Sequence, residues 1–419
     1  MAESPQVPDA FRLRIERDYE RFARDGWPDG IEDYLLHEYE LDVATRYAGL
    51  PIPNPWGKAS GQLSMTARQV AEDVRAGLGF VVLKTVIAQD ATGSQSMRDW
   101  AIPESRMLAE RITGRSGERG WTVSWKGRGW WQSFEEYLQL VRDARQIAAG
   151  SRTLVVPSCK FHLPMPDESA WRTGEYDYTV GNLLDAWAAG CDDSPMPLEK
   201  DFSPTLAGSD RAAVQAKILE WLRRVPEFVH AAAGAGEVRL GLKVFNALFD
   251  DEFQLRMLRT IHEPPAGLPQ RADYFVYGNR LFDPEREFEG HKGIAYGGPD
   301  LSDRNLRVLS RFCEAGAAPR LPLSATGNIT TGKTAIEYAL RGASSFQLHT
   351  FFQLPADVYT MKTGSKVQKA LHELCFHPQT GFVVWMRCLA DVLGLTMKPL
   401  RFRDVVGRMS DVDDRMSTE

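Results

Sequence analysis

LPLSATGNITTGKTAIEYALRGASSFQLHTFF, Leu321 to Phe352, is the stretch whose reading decides the fold. An apolar run (Leu321, Leu323, Ala325) passes through Gly327 into a helix opened by Thr331 and closed by Gly342, and a second apolar run, Phe346 to Thr350, follows at once. The order is strand, loop, helix, strand. The loop Thr326-Gly327-Asn328 carries little side-chain bulk ahead of a helix N-terminus, where unpaired backbone N–H groups and the positive end of the helix dipole attract a phosphate. Two kinds of protein own such a cradle. Residues Gly327 to Thr334, GNITTGKT, satisfy G-x-x-x-x-G-K-[ST], in which Lys333 reaches the outer phosphates of a nucleotide and Thr334 holds magnesium. The same element also forms the phosphate site of the last two strands of a (β/α)8 barrel.

The surroundings favour the barrel. A nucleotide hydrolase needs further parallel strands, one of them ending in a metal-holding Asp. After Thr350 the chain runs into a helix-rich tail (ADVYTMKTGSKVQKALHELC, then GFVVWMRCLADVLG) with no such strand. In a barrel the last two units fall near the end of the alternation, and Lys333 is a solvated helix residue.

Upstream, strands and helices alternate. GFVVLKTV (Gly79 to Val86) is a nearly all-apolar strand of the kind buried on both faces of a parallel sheet. WTVSW (Trp121 to Trp125) is another candidate strand, and Ser133 with Glu136 forms a capping box for the helix that follows. TLVVPSC (Thr153 to Cys159), VRLGLKVF (Val238 to Phe245) and DYFVYGN (Asp273 to Asn279) are further strands, and GIAYGGPDLS (Gly293 to Ser302) is a glycine turn into a helix. About eight strand–helix units favour a closed α/β TIM barrel over an open sheet. The stretch Lys160 to Ser209, rich in Pro, Asp, Gly and aromatics, is too long for a structureless loop and reads as an ordered lid or insertion after the Cys159 strand. Residues 1–52 form an N-terminal helical arm, with Phe11, Ile15, Tyr19 and Phe22 on one helix face ending near Gly26. It packs on the main domain or on a second subunit of a homodimer. The barrel takes residues 53–419, with a C-terminal helical extension from about 353.

The totals narrow the function. The 419 residues carry a net charge of −6 and 43% apolar residues, and no basic stripe with interleaved aromatics marks a nucleic-acid surface. Five widely separated cysteines, Cys159, Cys191, Cys313, Cys375 and Cys388, suggest neither a metal site nor a disulfide framework. The start MAESPQVPDAF has no signal-peptide pattern, and no run is long enough to span a bilayer, so a cytoplasmic protein without a membrane partner is expected.

Lys84 and Lys243 carry the chemistry. Each lies in an otherwise apolar strand, where an unpaired ammonium loses its hydration at a cost of several kcal/mol. Both therefore need an anionic partner, either a buried carboxylate or a ligand. With a phosphate cradle nearby, a flavin suits: its reduced form bears negative charge at the pyrimidine end, and a fixed cation there favours hydride acceptance.

The motifs NPWGKASG, VLKTV, PSCKFH, LGLKVF, GNRLFDPE, AYGGPDLS, TGNITTG and QLHTFF stand in the order, and at close to the spacing, of the FMN-binding motifs of class 1 dihydroorotate dehydrogenases, which are (β/α)8 barrels. The chain resembles that family from about Asn54 to the segment RFRDVVGR, Arg401 to Arg408. The resemblance implies that Ala59 and Ser60 contact the flavin, that Lys84 lies between flavin and substrate, and that Lys243 stands at the pyrimidine edge. Gly297 and Gly298 match the glycines ahead of the cradle, while Gly327, Asn328, His349 and Thr350 match the phosphate site. Asn328 and His349 each replace a glycine and keep the N–H donor. Cys159 matches the catalytic base, which moves a proton at the carbon next to a carbonyl as hydride passes to or from the flavin; His162, close to it on the same loop, either assists that proton transfer, binds the substrate or is an exposed histidine without a role. The family's orotate-binding asparagines fall at about Ser105, Val156, Phe161 and Phe275, so those amides are missing.

The expectation is an FMN-dependent oxidoreductase, a flavoprotein acting on CH–CH groups of a non-orotate small molecule, such as a specialised metabolite. Its electron donor or acceptor is not readable, because no G-x-G-x-x-G follows a strand. A P-loop hydrolase and a redox-inactive barrel acting as a binding partner are the rival readings.

Overall fold

Each apolar run from Trp56 onward is short, buried and followed at some distance by a helix with one apolar face. The computed structural model, which describes residues 4–103, 107–125, 129–189, 194–202, 211–234, 236–246, 249–263, 271–288, 290–314 and 321–416, lays these runs side by side as parallel strands. They are β1 (Trp56–Lys58), β2 (Phe80–Val82, resuming at Val86–Ile87), β3 (Leu154–Val156, resuming at Ser158–Lys160), β4 (Met196–Asp201), β5 (Val238–Phe245), β6 (Tyr274–Asn279), β7 (Leu323–Thr326) and β8 (Ala343–Leu348).

The pairing closes on itself. Gly57 of β1 pairs with Phe80 of β2, the two halves of β2 pair with the two halves of β3, and Ser158 of β3 pairs with Glu199 of β4. The chain continues through β5, β6 and β7 to β8, whose Phe346 returns to Trp56. The result is the α/β TIM barrel expected from the alternation, with helices outside and a filled interior.

Side-chain parity along the strands sets what each face holds. Outward residues such as Val81, Val155, Leu198, Leu242, Phe275 and Ala325 join one large apolar cluster with the surrounding helices. Inward residues at the amino ends, Phe80, Val82, Val156, Tyr274 and Val276, form a separate cluster with Tyr47, Ala48 and Ile52. The last three come from a hairpin, residues 45–52, that plugs the barrel floor, with Tyr47 stacked on Phe80 at a centroid distance of 4.2 Å. The fit requires Gly241 on β5, since a Cβ there would stand 2.0 Å from the Tyr274 ring.

The N-terminal segment forms helices α1 (Asp9–Asp25) and α2 (Ile31–Tyr39). Ile15 and Phe22 are buried, and Tyr19 stacks on His372 of the C-terminal helix Lys366–Phe376 and donates to Glu373 at 2.7 Å. The Ser133–Glu136 capping box forms as expected. No helix among the described residues is long and apolar enough to cross a membrane.

The described part of residues 160–209, read above as an ordered lid or insertion, carries a helix, Thr173–Ala188, and the barrel strand β4. The sequence MPLEKD looks like a polar loop because three consecutive charged residues sit on it, yet Glu199 and Lys200 are fully buried and Asp201 largely so. WTVSW differs too. It belongs to an antiparallel hairpin, Met107–Thr113 with Arg119–Trp125, outside the barrel.

Candidate active site

Parity brings the inward residues at the carboxyl ends of the strands around one cavity. Its lining includes Ala59, Ser60, Lys84, Lys243, Gly297, Gly298, Gly327, Asn328, His349 and Thr350, all ten residues that the resemblance assigns to the cofactor. This is the end of the barrel where ligands bind in this architecture.

The two lysines differ in their partners. Lys243 is buried and donates to Glu199 at 3.2 Å and to Gln347 at 2.9 Å, so it is the lysine of a buried ion pair. Glu199 also accepts from the Gln347 amide at 2.6 Å. Lys84 is 4% exposed, and among the described residues no carboxylate comes within 4.0 Å of its ammonium. Burial pulls its pKa down to about 8, with the Asp201 carboxylate opposing and the Lys160 ammonium reinforcing the shift. Lys84 also sits in irregular backbone between the two halves of β2 rather than within the strand. Its N–H donates to Ser64.

Asp201 ends β4 and lines the cavity. Its Oδ2 lies 3.4 Å from the buried Lys160 ammonium, which in turn sits over the Trp100 ring at 4.5 Å. Burial opposes ionisation, but the Lys160, Lys243 and Lys200 ammonium groups hold the carboxyl below its ordinary range. Arg280 is a further cation in the lining, donating to the carbonyls of Val123 and Ala295, and burial pulls its pKa down to about 9. Burial, then Lys84 and Arg280, push the pKa of the His349 ring well below its usual value.

The glycine-rich wall is tightly specified. Gly327 has φ 109°, and a Cβ there would meet Asn305 and Leu301 at 2.8–2.9 Å. Asn328 keeps the left-handed conformation, at φ 53°, that asparagine tolerates best among non-glycine residues. The helix Gly332–Leu340 does not open onto the cavity as expected. Thr331 caps it by accepting from the Thr334 N–H at 3.1 Å, and the Lys333 N–H donates to Thr380. The wall is instead made by the loop Thr326–Thr330 with Gly297–Gly298 and His349–Thr350. The Lys333 ammonium lies 5.2 Å from the Trp385 ring and is absent from the lining, so GNITTGKT does not act as a P-loop here.

Several expected site residues fall elsewhere. Cys159 is 0% exposed within the outer apolar cluster and does not line the cavity. Its neighbours Ser158 and Lys160 face inward, bonding to Thr85 at 3.0 Å and to Asp201, so parity turns Cys159 towards the helices. Burial pushes its thiol pKa far up, against the pull of Lys200. His162 is also buried away from the cavity, 3.5 Å from Glu168, and burial lowers its pKa. The positions expected to face the substrate are corrected likewise. Val156 lies in the barrel floor, Phe161 stacks on Tyr176 at 4.5 Å, and Phe275 packs edge-on against His262 at 4.8 Å. Ser105 lies outside the described residues. Of the aromatic run Trp125 to Trp131, Trp130 packs on Tyr137 and Trp131 is exposed, and neither lines the cavity.

The lining residues that sequence reasoning missed include Asp201, Thr85, Gln347, Arg280 and Trp121. Arg280 stood in a quoted motif, GNRLFDPE, and its place after a buried strand was the available signal.

Fold and cavity together define an α/β barrel with a largely cationic, glycine-walled site at the carboxyl end of its strands. The chain is dihydroorotate dehydrogenase-like in sequence and in fold. It is 25% identical over 325 residues to dihydroorotate dehydrogenase (quinone) of Pseudomonas fluorescens, covering 76% of this chain and 84% of that one. The enzyme of the same name from Azotobacter vinelandii is 26% identical over 329 residues, covering 77% and 83%. A crystal structure of the Eimeria tenella enzyme DHODH in complex with ferulenol superposes with a TM-score of 0.58 at 13% identity, over 99% of this chain and 97% of that one. No family model matches the chain.

Proposed function

We propose that the protein is an FMN-dependent oxidoreductase of the dihydroorotate dehydrogenase type, forming or reducing a C=C bond next to a carbonyl in a small molecule other than orotate. One observation carries this reading: ten positions chosen by motif from across the chain converge on one cavity, with the buried Lys84 among them. The residues fit the cofactor. The backbone wall at Gly297–Gly298, Gly327–Asn328 and His349–Thr350 suits a phosphate, and Lys84, Lys243 and Arg280 suit an electron-rich ring.

When bound, the flavin supplies the hydride acceptor or donor. The chain's own part is charge and proton placement. Lys84, with a pKa near 8, is largely protonated at neutral pH and is placed in the lining to give or take a proton at Nζ. Lys243, anchored by Glu199 and Gln347, holds its ammonium in the lining as half of an ion pair. Cys159 has no place in this scheme. Three of the positions that match the orotate-binding asparagines lie away from the cavity, and Asp201, a carboxylate in the lining, opposes a carboxylate-bearing substrate such as orotate.

The test is a half-reaction. FMN-loaded protein photoreduced with EDTA as electron donor under argon is mixed with neutral enones and, because both bacterial relatives are named for a quinone, with a soluble quinone. Reoxidation by an enone that slows at least tenfold in Lys84→Met is expected. Reoxidation by dioxygen alone would contradict the reading.

A further inference from the structure

Asp201 is the one carboxylate among the described residues lining the cavity, where the charged partners are otherwise Lys84, Lys243 and Arg280. Its Oδ2 faces Lys160, a lysine outside the lining. Its Oδ1 is out of reach of solvent and has no hydrogen-bond partner among the described residues. An ionised carboxylate in a cavity lining is acceptor-only, so it favours ligand groups that carry an O–H or N–H donor. A carboxylate supplies no such donor at neutral pH. A hydroxyl, amide or amine does.

We propose that Asp201 sets the charge of the substrate: it accepts a hydrogen bond from an O–H or N–H group of a neutral or cationic molecule and disfavours molecules that present a carboxylate at that point. The proposal rests on the FMN reading above and deepens it by naming the substrate class. Lys160 is a positioning residue. Its ammonium, fixed between Asp201 and Trp100, holds the carboxylate in place and keeps it ionised. The arrangement separates two jobs within one cavity, with cations gathered for the electron-rich cofactor and a carboxylate reserved for the substrate.

The test uses two probes of one shape, each with a C=C–C=O unit: cinnamamide, neutral with N–H donors, and cinnamate, an anion. Each is titrated into FMN-loaded wild type and Asp201→Asn, and binding is read from the perturbation of the flavin's visible spectrum. Wild type is expected to favour cinnamamide, and Asp201→Asn to shrink that preference at least about tenfold (about 1.4 kcal/mol) by gaining affinity for cinnamate. Asp201→Ala should shrink it too, and FMN content and melting temperature show whether each variant is folded and loaded.

A preference equal in wild type and Asp201→Asn would overturn the proposal, as would failure of wild type to bind cinnamamide. So would a loss of FMN affinity in Asp201→Asn with the preference unaltered, which would put Asp201 against the cofactor. Wild type that takes up no FMN would instead defeat the underlying reading, and that outcome is visible before any probe is added.

Discussion

Lys84→Met should stabilise the cofactor-free protein while removing its function. Lys84 is buried, and its pKa falls from 10.5 in the unfolded chain to about 8 in the fold. At about 1.4 kcal/mol per unit, holding the ammonium in that site costs about 3 kcal/mol. The sign follows from proton binding. Between about pH 8 and 10.5 the unfolded chain binds more protons than the folded one, so stability rises with pH across that window, and below it the full cost is present. Methionine keeps most of the side-chain volume and carries no charge. Urea denaturation of FMN-free protein at pH 7 should therefore show Lys84→Met more stable than wild type by about 2–3 kcal/mol, with the gap closing towards pH 10. The same variant should bind FMN at least tenfold more weakly, since charge-assisted hydrogen bonds contribute about 1.5–3 kcal/mol. A variant less stable than wild type at pH 7, by an amount independent of pH, would mean that Lys84 is already paired within the protein and is not waiting for a ligand.

Cys159→Ala should change the rate of substrate-linked flavin reduction by less than about threefold, under about 0.7 kcal/mol in the barrier, while lowering stability by about 1 kcal/mol in a denaturant titration. A hundredfold loss would restore the thiol to the mechanism. Lys333→Ala should leave FMN affinity unchanged and lose only its contact with Trp385, about 0.5–1 kcal/mol, and isothermal titration with magnesium-ATP should show no binding in either protein. Gly327→Ala forces a Cβ against Asn305 and Leu301 at a positive φ, so it should lower stability by more than about 1 kcal/mol and weaken FMN binding. Normal cofactor content in that variant would show that the loop does not form the phosphate wall.

What the sequence made legible was anomaly against pattern. A lysine in an apolar strand and glycines after a strand stand out because burial of charge and positive φ are rare, and each such position lines the cavity. What it hid was parity and distance. Motif spacing placed Cys159 in the site, but its strand neighbours Ser158 and Lys160 face inward, and in a strand one step turns the side chain to the opposite face. β4 was missed for the reverse reason. Glu199 and Asp201 look like loop residues until their partners are known, and those partners come from other strands: Lys243 is 44 residues from Glu199, and Gln347 is 148. Local pattern cannot show that a charge is neutralised by a side chain so far along the chain.

Purified protein, stripped by mild acid and then titrated with FMN, should take up one equivalent, quench its fluorescence and show the visible absorption of a bound flavin, with Lys84→Met needing at least tenfold more. A protein that stays colourless after incubation with excess FMN and dialysis would mean that this cavity does not hold FMN.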